Sequence, residues 1–422
     1  MERLDGLSAR RRREILDRTP AVDEASDAAR EIVDGVLERG DEALKEYTER
    51  FDGQALDRLR VTESELQDAV DTVDDDVLDA VRLSCDRIRG FHERQRRDSW
   101  TERDGGVEVG RRFTPLESAG CYVPGGGAAY PSTALMTAVP ADVAGVERVV
   151  ACTPPPAPDA TLAALAVAGV EEVYRVGGAQ AIAAMAGGTE SIDPVDVVVG
   201  PGNRYVAAAK RTVATEGLCR TEFPAGPSEL GVVADRTANP RFVAADAVAQ
   251  AEHDPDASVV VCTTSDEVAE EVESEIKGFA DEVERGDVVR DASIDVLVGS
   301  FDDCVEFVAE YAPEHLSVCV EDERVDGVVE RVPAGSVFVG DYTPVAAGDY
   351  STGTNHVLPT AGLARLYGGL SVDDFLRAYT VQELTEDGLR ELSDAVTTLA
   401  RAEGLDAHAR SIEVRWEETR SE

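Results

Sequence analysis

Lysine is almost missing from this 422-residue chain: Lys45, Lys210 and Lys277 are its only three, and the other basic residues are arginines. Acidic residues outnumber basic ones by 84 to 41, giving a formal net charge of −43. Such a surface repels nucleic acid and anionic membranes, so neither is expected as a partner. Its self-repulsion is relieved when concentrated salt screens the carboxylates, which predicts a halophilic protein. No apolar run approaches the roughly 20 residues that cross a bilayer. The N-terminus, which runs into Arg10 to Arg13, has no apolar signal stretch, and a cytoplasmic location is expected. The seven cysteines (Cys85, Cys121, Cys152, Cys219, Cys262, Cys304 and Cys319) are odd in number and lack Cys-x-x-Cys spacing. Buried reduced thiols are expected, not a disulfide framework. Nothing basic adjoins Cys121 or Cys152, which argues against a nucleophilic thiol.

Histidine is scarce as well, and four of the five sit in short polar clusters. These are Gln250-Ala-Glu252-His253, Pro313-Glu314-His315, Gly348-Asp349-Tyr350 through Asn355-His356, and Glu403-Gly-Leu-Asp406-Ala-His408. Imidazole, carboxylate and amide oxygen together suit a zinc-type ion with positions left open for a substrate. Taken by themselves, these residues favour His253, Asp349 and His408 as ligands, with Glu252 ahead of Gln250. The fifth histidine, His92, follows the apolar series Val77, Val81, Ile88 and Phe91 and is surrounded by Glu93, Arg94, Arg96 and Arg97. It is expected at a helix surface or boundary, without a role.

A chain this long exceeds what one core usually fills. Residues 1–110 read as helices, with Thr62-Glu-Ser-Glu65 a capping box. From about 111, β-branched runs alternate with alanine-rich helical stretches. Strands are expected near 148–152, 172–176 and 196–199, then near 231–235, 258–264, 294–299, 316–320 and 336–340. This predicts an α/β protein with two Rossmann-like open parallel-sheet domains, an N-terminal helical segment and a small C-terminal helical arm. The segments are drawn at 1–110, 111–235, 236–350 and 351–422, with helices around 384–402 and 405–416 in the last. The second α/β domain is allowed to take in part of the N-terminal segment.

Three glycine clusters occupy turns in the first α/β half: Gly125-Gly126-Gly127 after Tyr122, Gly177-Gly178 before Gln180, and Gly200-Pro-Gly202-Asn203. Two of them follow strands and open helices, where backbone N–H groups can receive phosphate. None matches Gly-x-Gly-x-x-Gly with an acidic residue about 20 positions on. Tight turns and cofactor contact remain equal readings of the glycines alone.

In order along the chain, Gly-Gly-Ala-Gln-Ala-Ile, Gly-Pro-Gly-Asn, Pro-Ala-Gly-Pro-Ser-Glu, Gln-Ala-Glu-His, Ala-Pro-Glu-His-Leu, Gly-Asp-Tyr with Thr-Asn-His-Val-Leu-Pro-Thr, and Glu-Gly-Leu-Asp-Ala-His resemble the histidinol dehydrogenase family. The resemblance spans about residue 20 to His408. It implies oxidation of L-histidinol through L-histidinal to L-histidine with two NAD+ and one Zn2+ per site. It further implies Gln250, His253, Asp349 and His408 as zinc ligands and Glu314 with His315 as the catalytic pair. Substrate contacts would come from Ser228, His356 and Glu403, beside His315 and the zinc ligands. Tyr122, Gln180 and Asn203 would lie along NAD+. A homodimer is implied, the C-terminal arm of one subunit completing the site of the other. Two positions depart from the family pattern: Gly231 replaces a bulky apolar residue, and Val345 a glutamate.

The chemistry asks for these residue types. An imidazole can take the alcohol proton, a task assigned to His315, and a carboxylate can activate water against the aldehyde, a task assigned to Glu314. Neighbours on an extended strand point to opposite sides, so the two can share a pocket only at a turn or strand end, which Pro313 favours. A metal-dependent hydrolase using zinc-bound hydroxide is a second reading, weakened by the lack of His-Glu-x-x-His. A two-lobed binding protein is a third, in which Glu314 beside His315 has no purpose.

Overall fold

Runs of valine pair into two parallel sheets. A computed structural model describes residues 1–18, 22–125, 129–224 and 226–416. Gly126 and Gly127 of the first glycine cluster, and Ala225 of Pro-Ala-Gly-Pro-Ser-Glu, lie outside the described residues. The first sheet places its strands in the order Glu172–Arg175, Arg148–Thr153, Ser118–Tyr122, Val197–Val199, Arg220–Thr221, all parallel. The second runs Glu2–Arg3, Ser293–Val298, Ser258–Thr263, Glu229–Ala234, His315–Cys319, Ser336–Val339, also all parallel. Leaving out Glu2–Arg3, both sheets wind outward from their first strand in one direction and then in the other. The order therefore reverses beside Ser118–Tyr122 in one sheet and beside Glu229–Ala234 in the other, the switch points of doubly wound sheets.

Both of these central strands are buried along their whole length, as parallel strands covered by helices on two faces must be. Ser-Ala-Gly-Cys-Tyr has no β-branched residue, which is why the sequence reading missed the strand at the centre of the first sheet. Strand Glu229–Ala234, which the boundary at 235 assigns to the first α/β segment, hydrogen-bonds in the second sheet instead.

The N-terminal helices Val22–Arg39, Asp41–Asp52, Glu63–Thr72 and Asp75–His92 do not stand apart. Ala29, Val33, Val36 and Leu44 share one apolar cluster with Ile182, Met185 and Val206 from the helices of the first sheet. Thr62 and Glu65 form both bonds of the expected capping box. His92 is fully buried, not a surface residue: its Nδ1 is 2.8 Å from the Ile88 carbonyl and its Nε2 is 3.4 Å from Asn355 Nδ2. The charged neighbours that suggested exposure belong to the helix end, whereas the His92 ring faces the loop that carries His356.

The chain divides into two compact units, Met1–Arg96 with Leu116–Phe375, and Arg97–Pro115 with Leu376–Glu422. The smaller unit holds a third, antiparallel sheet of Trp100–Asp104, Val107–Pro115 and Leu376–Leu384, together with helices Glu386–Ala402 and Asp406–Glu413. None of its strands is among those expected from the sequence, because they are mostly exposed and so lack an apolar alternation. Residues 351–375 of the expected arm fall in the larger unit. Among the described residues no helix is long and apolar enough to cross a membrane.

Candidate functional site

Several polar clusters meet at the amino-terminal edge of the second sheet. Glu229 is in register with Ser258, and His315 is in register with Leu230 and Ser336, so Ser228, Glu314 and His315 all sit where strands begin. Helix Pro240–Ala251 returns the chain to this edge, with Gln250 in its last turn and His253 just beyond. Before Glu314, Ala312 ends helix Phe301–Tyr311 in the left-handed region at φ 48°. That turn and Pro313 bring the neighbouring side chains together, with His315 Nδ1 3.5 Å from Glu314 Oε2. Gly231 makes room for the turn: a Cβ there would stand 2.8 Å from Pro313 Cγ.

The Glu229 backbone clamps the pair. Its N–H donates to Glu314 Oε2 at 2.9 Å, and its carbonyl lies 3.2 Å from His315 Nδ1. His315 Nε2 stands 3.4 Å from Asp349 Oδ1 yet has no hydrogen-bond partner. Gln250 Nε2 makes a long contact of 3.5 Å to Asp349 Oδ2, and Ser228 Oγ lies 3.4 Å from His253 Nδ1. His356 has both ring nitrogens engaged, Nδ1 at 2.9 Å from the Asp349 carbonyl and Nε2 at 3.1 Å from Thr133 Oγ1.

Burial holds the Glu314 carboxyl protonated to higher pH than an exposed one. At His315 burial acts against the charged ring, and the Glu314 and Asp349 carboxylates more than offset it. Asp349 is buried but stays below the usual carboxylate range, chiefly because the His315 ring, which favours its charged form, faces it. His253 and His356 are pushed down by burial, which favours the neutral ring that binds metals.

No group of three His, Cys, Asp or Glu side chains suited to a metal occurs among the described residues. Counting an amide changes the inventory: Gln250 Oε1 is buried without a hydrogen-bond partner, beside Asp349. An orphaned acceptor next to a carboxylate and a neutral imidazole fits a cation. Glu403 and His408 belong to the smaller unit, where both are exposed. Glu403 caps helix Glu386–Ala402, and His408 lies in helix Asp406–Glu413.

Tyr122, Gln180 and Asn203 occupy the carboxyl edge of the first sheet. Tyr122 ends the central strand and its hydroxyl accepts from Gly178 N–H at 3.1 Å. Gln180 is buried in the first turn of helix Gly178–Gly187. Asn203 caps helix Arg204–Thr215, its Oδ1 accepting from Tyr205 and Val206 N–H. Gly200 has φ 119°, and a Cβ there would meet the Tyr122 carbonyl oxygen at 2.1 Å. Two helix N-termini and close backbone approach at a switch point fit a dinucleotide despite the missing fingerprint. The thiols are all buried and free, and burial pushes Cys121 up to about 12, which disfavours the thiolate a nucleophile needs.

A family model described as histidinol dehydrogenase matches residues 17–416. The chain belongs to this family. Among its relatives, the histidinol dehydrogenase of Haloarcula marismortui is 52% identical, covering 96% of each chain. That of Natronomonas pharaonis is 50% identical over 97% of this chain and 98% of its own. The crystal structure of histidinol dehydrogenase from Elizabethkingia anophelis superposes with a TM-score of 0.91 at 34% identity, covering 98% of each chain. Sequence reasoning missed three residues of the larger unit's cluster. Thr133 gives no local signal, and Glu229 closes the Pro-Ala-Gly-Pro-Ser-Glu motif without being given a role there. Asp246 does give a signal, lying one turn before Gln250 on the same helix face. Its carboxyl is pushed up to about 6 by burial, although it accepts the N–H of Val345, the second departure from the family pattern.

Proposed function

We propose that this protein is an NAD-dependent oxidoreductase that takes L-histidinol through L-histidinal to L-histidine, using two NAD+ per turnover in histidine biosynthesis. The observation that carries the reading is the convergence of Glu314, His315, Asp349, Gln250 and His253 at one sheet edge, in a chain of this family. In the neutral His315 ring the closer contact, Nδ1 to the Glu229 carbonyl, keeps the proton on Nδ1 and makes Nε2 the basic atom. That lone pair takes the alcohol proton. Once ionised, Glu314 has one oxygen held by the Glu229 N–H, leaving the other to draw a proton from water attacking the aldehyde.

Gln250, His253, Asp349 and His408 of the partner subunit would hold Zn2+, which supplies fixed coordination positions for the imidazole and amine of the substrate. Ser228, His356 and Glu403 of the partner subunit complete the substrate's surroundings. NAD+ beside Tyr122, Gln180 and Asn203 supplies the electron acceptor. The charge of −43 is read as adaptation to concentrated salt. A melting temperature that does not rise with KCl would overturn that part.

Absorbance at 340 nm with zinc-loaded protein in high KCl, L-histidinol and excess NAD+ tests the reaction. Two NADH per histidinol are expected, and one would remove the water-activating role of Glu314. The shared site is tested by mixing His253→Asn and His408→Asn proteins through unfolding and refolding. Each is expected to be inactive alone, and the mixture to recover activity at about a quarter of the sites. No recovery would place His408 in its own subunit's site.

A further inference from the structure

Arg18 and Glu229 form an ion pair with side chains only 8% and 4% exposed. Glu229 heads the strand Glu-Leu-Gly-Val-Val-Ala, whose other residues are all apolar or glycine. Taking two charges out of water is costly, and exchanging such a pair for well-packed apolar residues is often neutral or stabilising. Stability alone therefore gives this pair no reason to exist.

Its connections supply one. Arg18 Nη1 donates to Glu229 Oε2 at 2.5 Å, and Glu229 Oε1 accepts the Ala361 N–H at 2.6 Å. The guanidinium also donates through Nη2 to the Tyr311 carbonyl and stacks 3.6 Å over the Tyr311 ring. The Tyr311 hydroxyl donates to the Ser258 carbonyl, and the Ser258 N–H donates to the Ser228 carbonyl at 3.0 Å. Arg18 thus ties together the strand start at Glu229, the helix end before Pro313-Glu314-His315, and the backbone of Ser228. It touches none of the side chains that would move protons.

We propose that the Arg18–Glu229 pair is the positioning element of the site: it fixes the Glu229 backbone, whose N–H and C=O hold Glu314 and His315. The inference rests on the proton-transfer roles given to those two residues above. A displacement of about 1 Å at such groups can cost on the order of 100-fold in rate. Loss of a supporting partner of this kind typically costs about 10- to 100-fold.

The test uses full-length, zinc-loaded protein in high KCl. Arg18→Met is expected to lower kcat for histidinol by about 10- to 100-fold with KM little changed. Arg18→Lys should recover part of the loss, since one ammonium cannot reproduce the planar fork and ring stacking. In Arg18→Met/Glu229→Gln the amide still accepts from Ala361, and no unpaired charge is left buried. Its melting temperature should return toward wild type while kcat stays low. This double variant decides if Arg18→Met alone does not fold. Recovery of kcat along with the melting temperature would make the pair merely structural and overturn the proposal, as would a raised KM with kcat unchanged. Spectra of 15N-histidine-labelled protein give a readout independent of turnover. The His315 signal should move in the double variant with the other four in place, and an unmoved His315 overturns the proposal. Wild-type protein that makes no NADH would overturn the reaction itself, while the His315 signal would still report on the clamp.

Discussion

The two parallel sheets are wound alike and used at opposite ends. In the first, Tyr122, Gln180 and Asn203 stand at the carboxyl ends of strands, where helices Gly178–Gly187 and Arg204–Thr215 begin. In the second, Ser228, Glu314 and His315 stand at the amino ends, where helix Pro240–Ala251 finishes beside Gln250. Helix N-termini carry partial positive charge and free N–H groups, and C-termini partial negative charge and free carbonyls. The carboxyl edge therefore suits a phosphate-bearing ligand, and the amino edge suits a cation. One topology offers two chemically opposite rims, and strand order alone locates only the first.

Substitutions at the amino rim should have the largest effect and leave the other rim alone. Glu314→Gln and His315→Asn are each expected to lower kcat by about 100- to 10,000-fold. NAD+ binding, followed by calorimetry, should not change, and a parallel loss would break the division between rims. Metal removal comes next. Dialysis against a chelator should abolish turnover and lower the melting temperature, by about 2.7 kcal/mol of stability at a metal concentration 100 times Kd, while NAD+ binding survives. Gly200→Ala sharpens the other side. Its left-handed backbone and the 2.1 Å approach to Tyr122 should cost about 1–3 kcal/mol and weaken NAD+ binding, with zinc content unchanged.

The smallest effect lies at the outer edge of the first sheet, where Val61 N–H donates to the Val173 carbonyl. Thr62→Ala removes the cap of helix Glu63–Thr72 and should cost about 1 kcal/mol. The Thr62 hydroxyl and N–H hold Glu65 down to about 2, from an ordinary value of 4.5. A depressed carboxyl stabilises fully above its unfolded value and loses that contribution as pH falls toward its folded one. The difference in melting temperature between wild type and Thr62→Ala should therefore shrink between about pH 5 and pH 3. A constant difference would remove Glu65 from the cap.

Valine-rich strands such as Ser258–Thr263 were legible because burial on both faces leaves an unbroken apolar run. Ser118–Tyr122 is just as buried but built from small residues, and Leu376–Leu384 is exposed, so neither carries that signature. At the site, the polar clusters stood out against alanine-rich surroundings. Arg18 could not, since it follows a run of surface arginines and meets Glu229 across 211 positions of chain. Thr133 reaches His356 across 223. Side chains that hold the site from a distance leave no local pattern to read.

Left-handed Ala312 restricts how this chain can vary among its descendants. An L-residue in that region costs about 1–2 kcal/mol, which glycine would avoid. The Ala312 methyl is fully buried, and deleting it forfeits about 0.8 kcal/mol of burial. The two terms nearly cancel, so alanine and glycine should interchange there almost neutrally. Larger or branched residues add crowding to strain and should be purged, leaving a two-letter alphabet one step before Pro313-Glu314-His315.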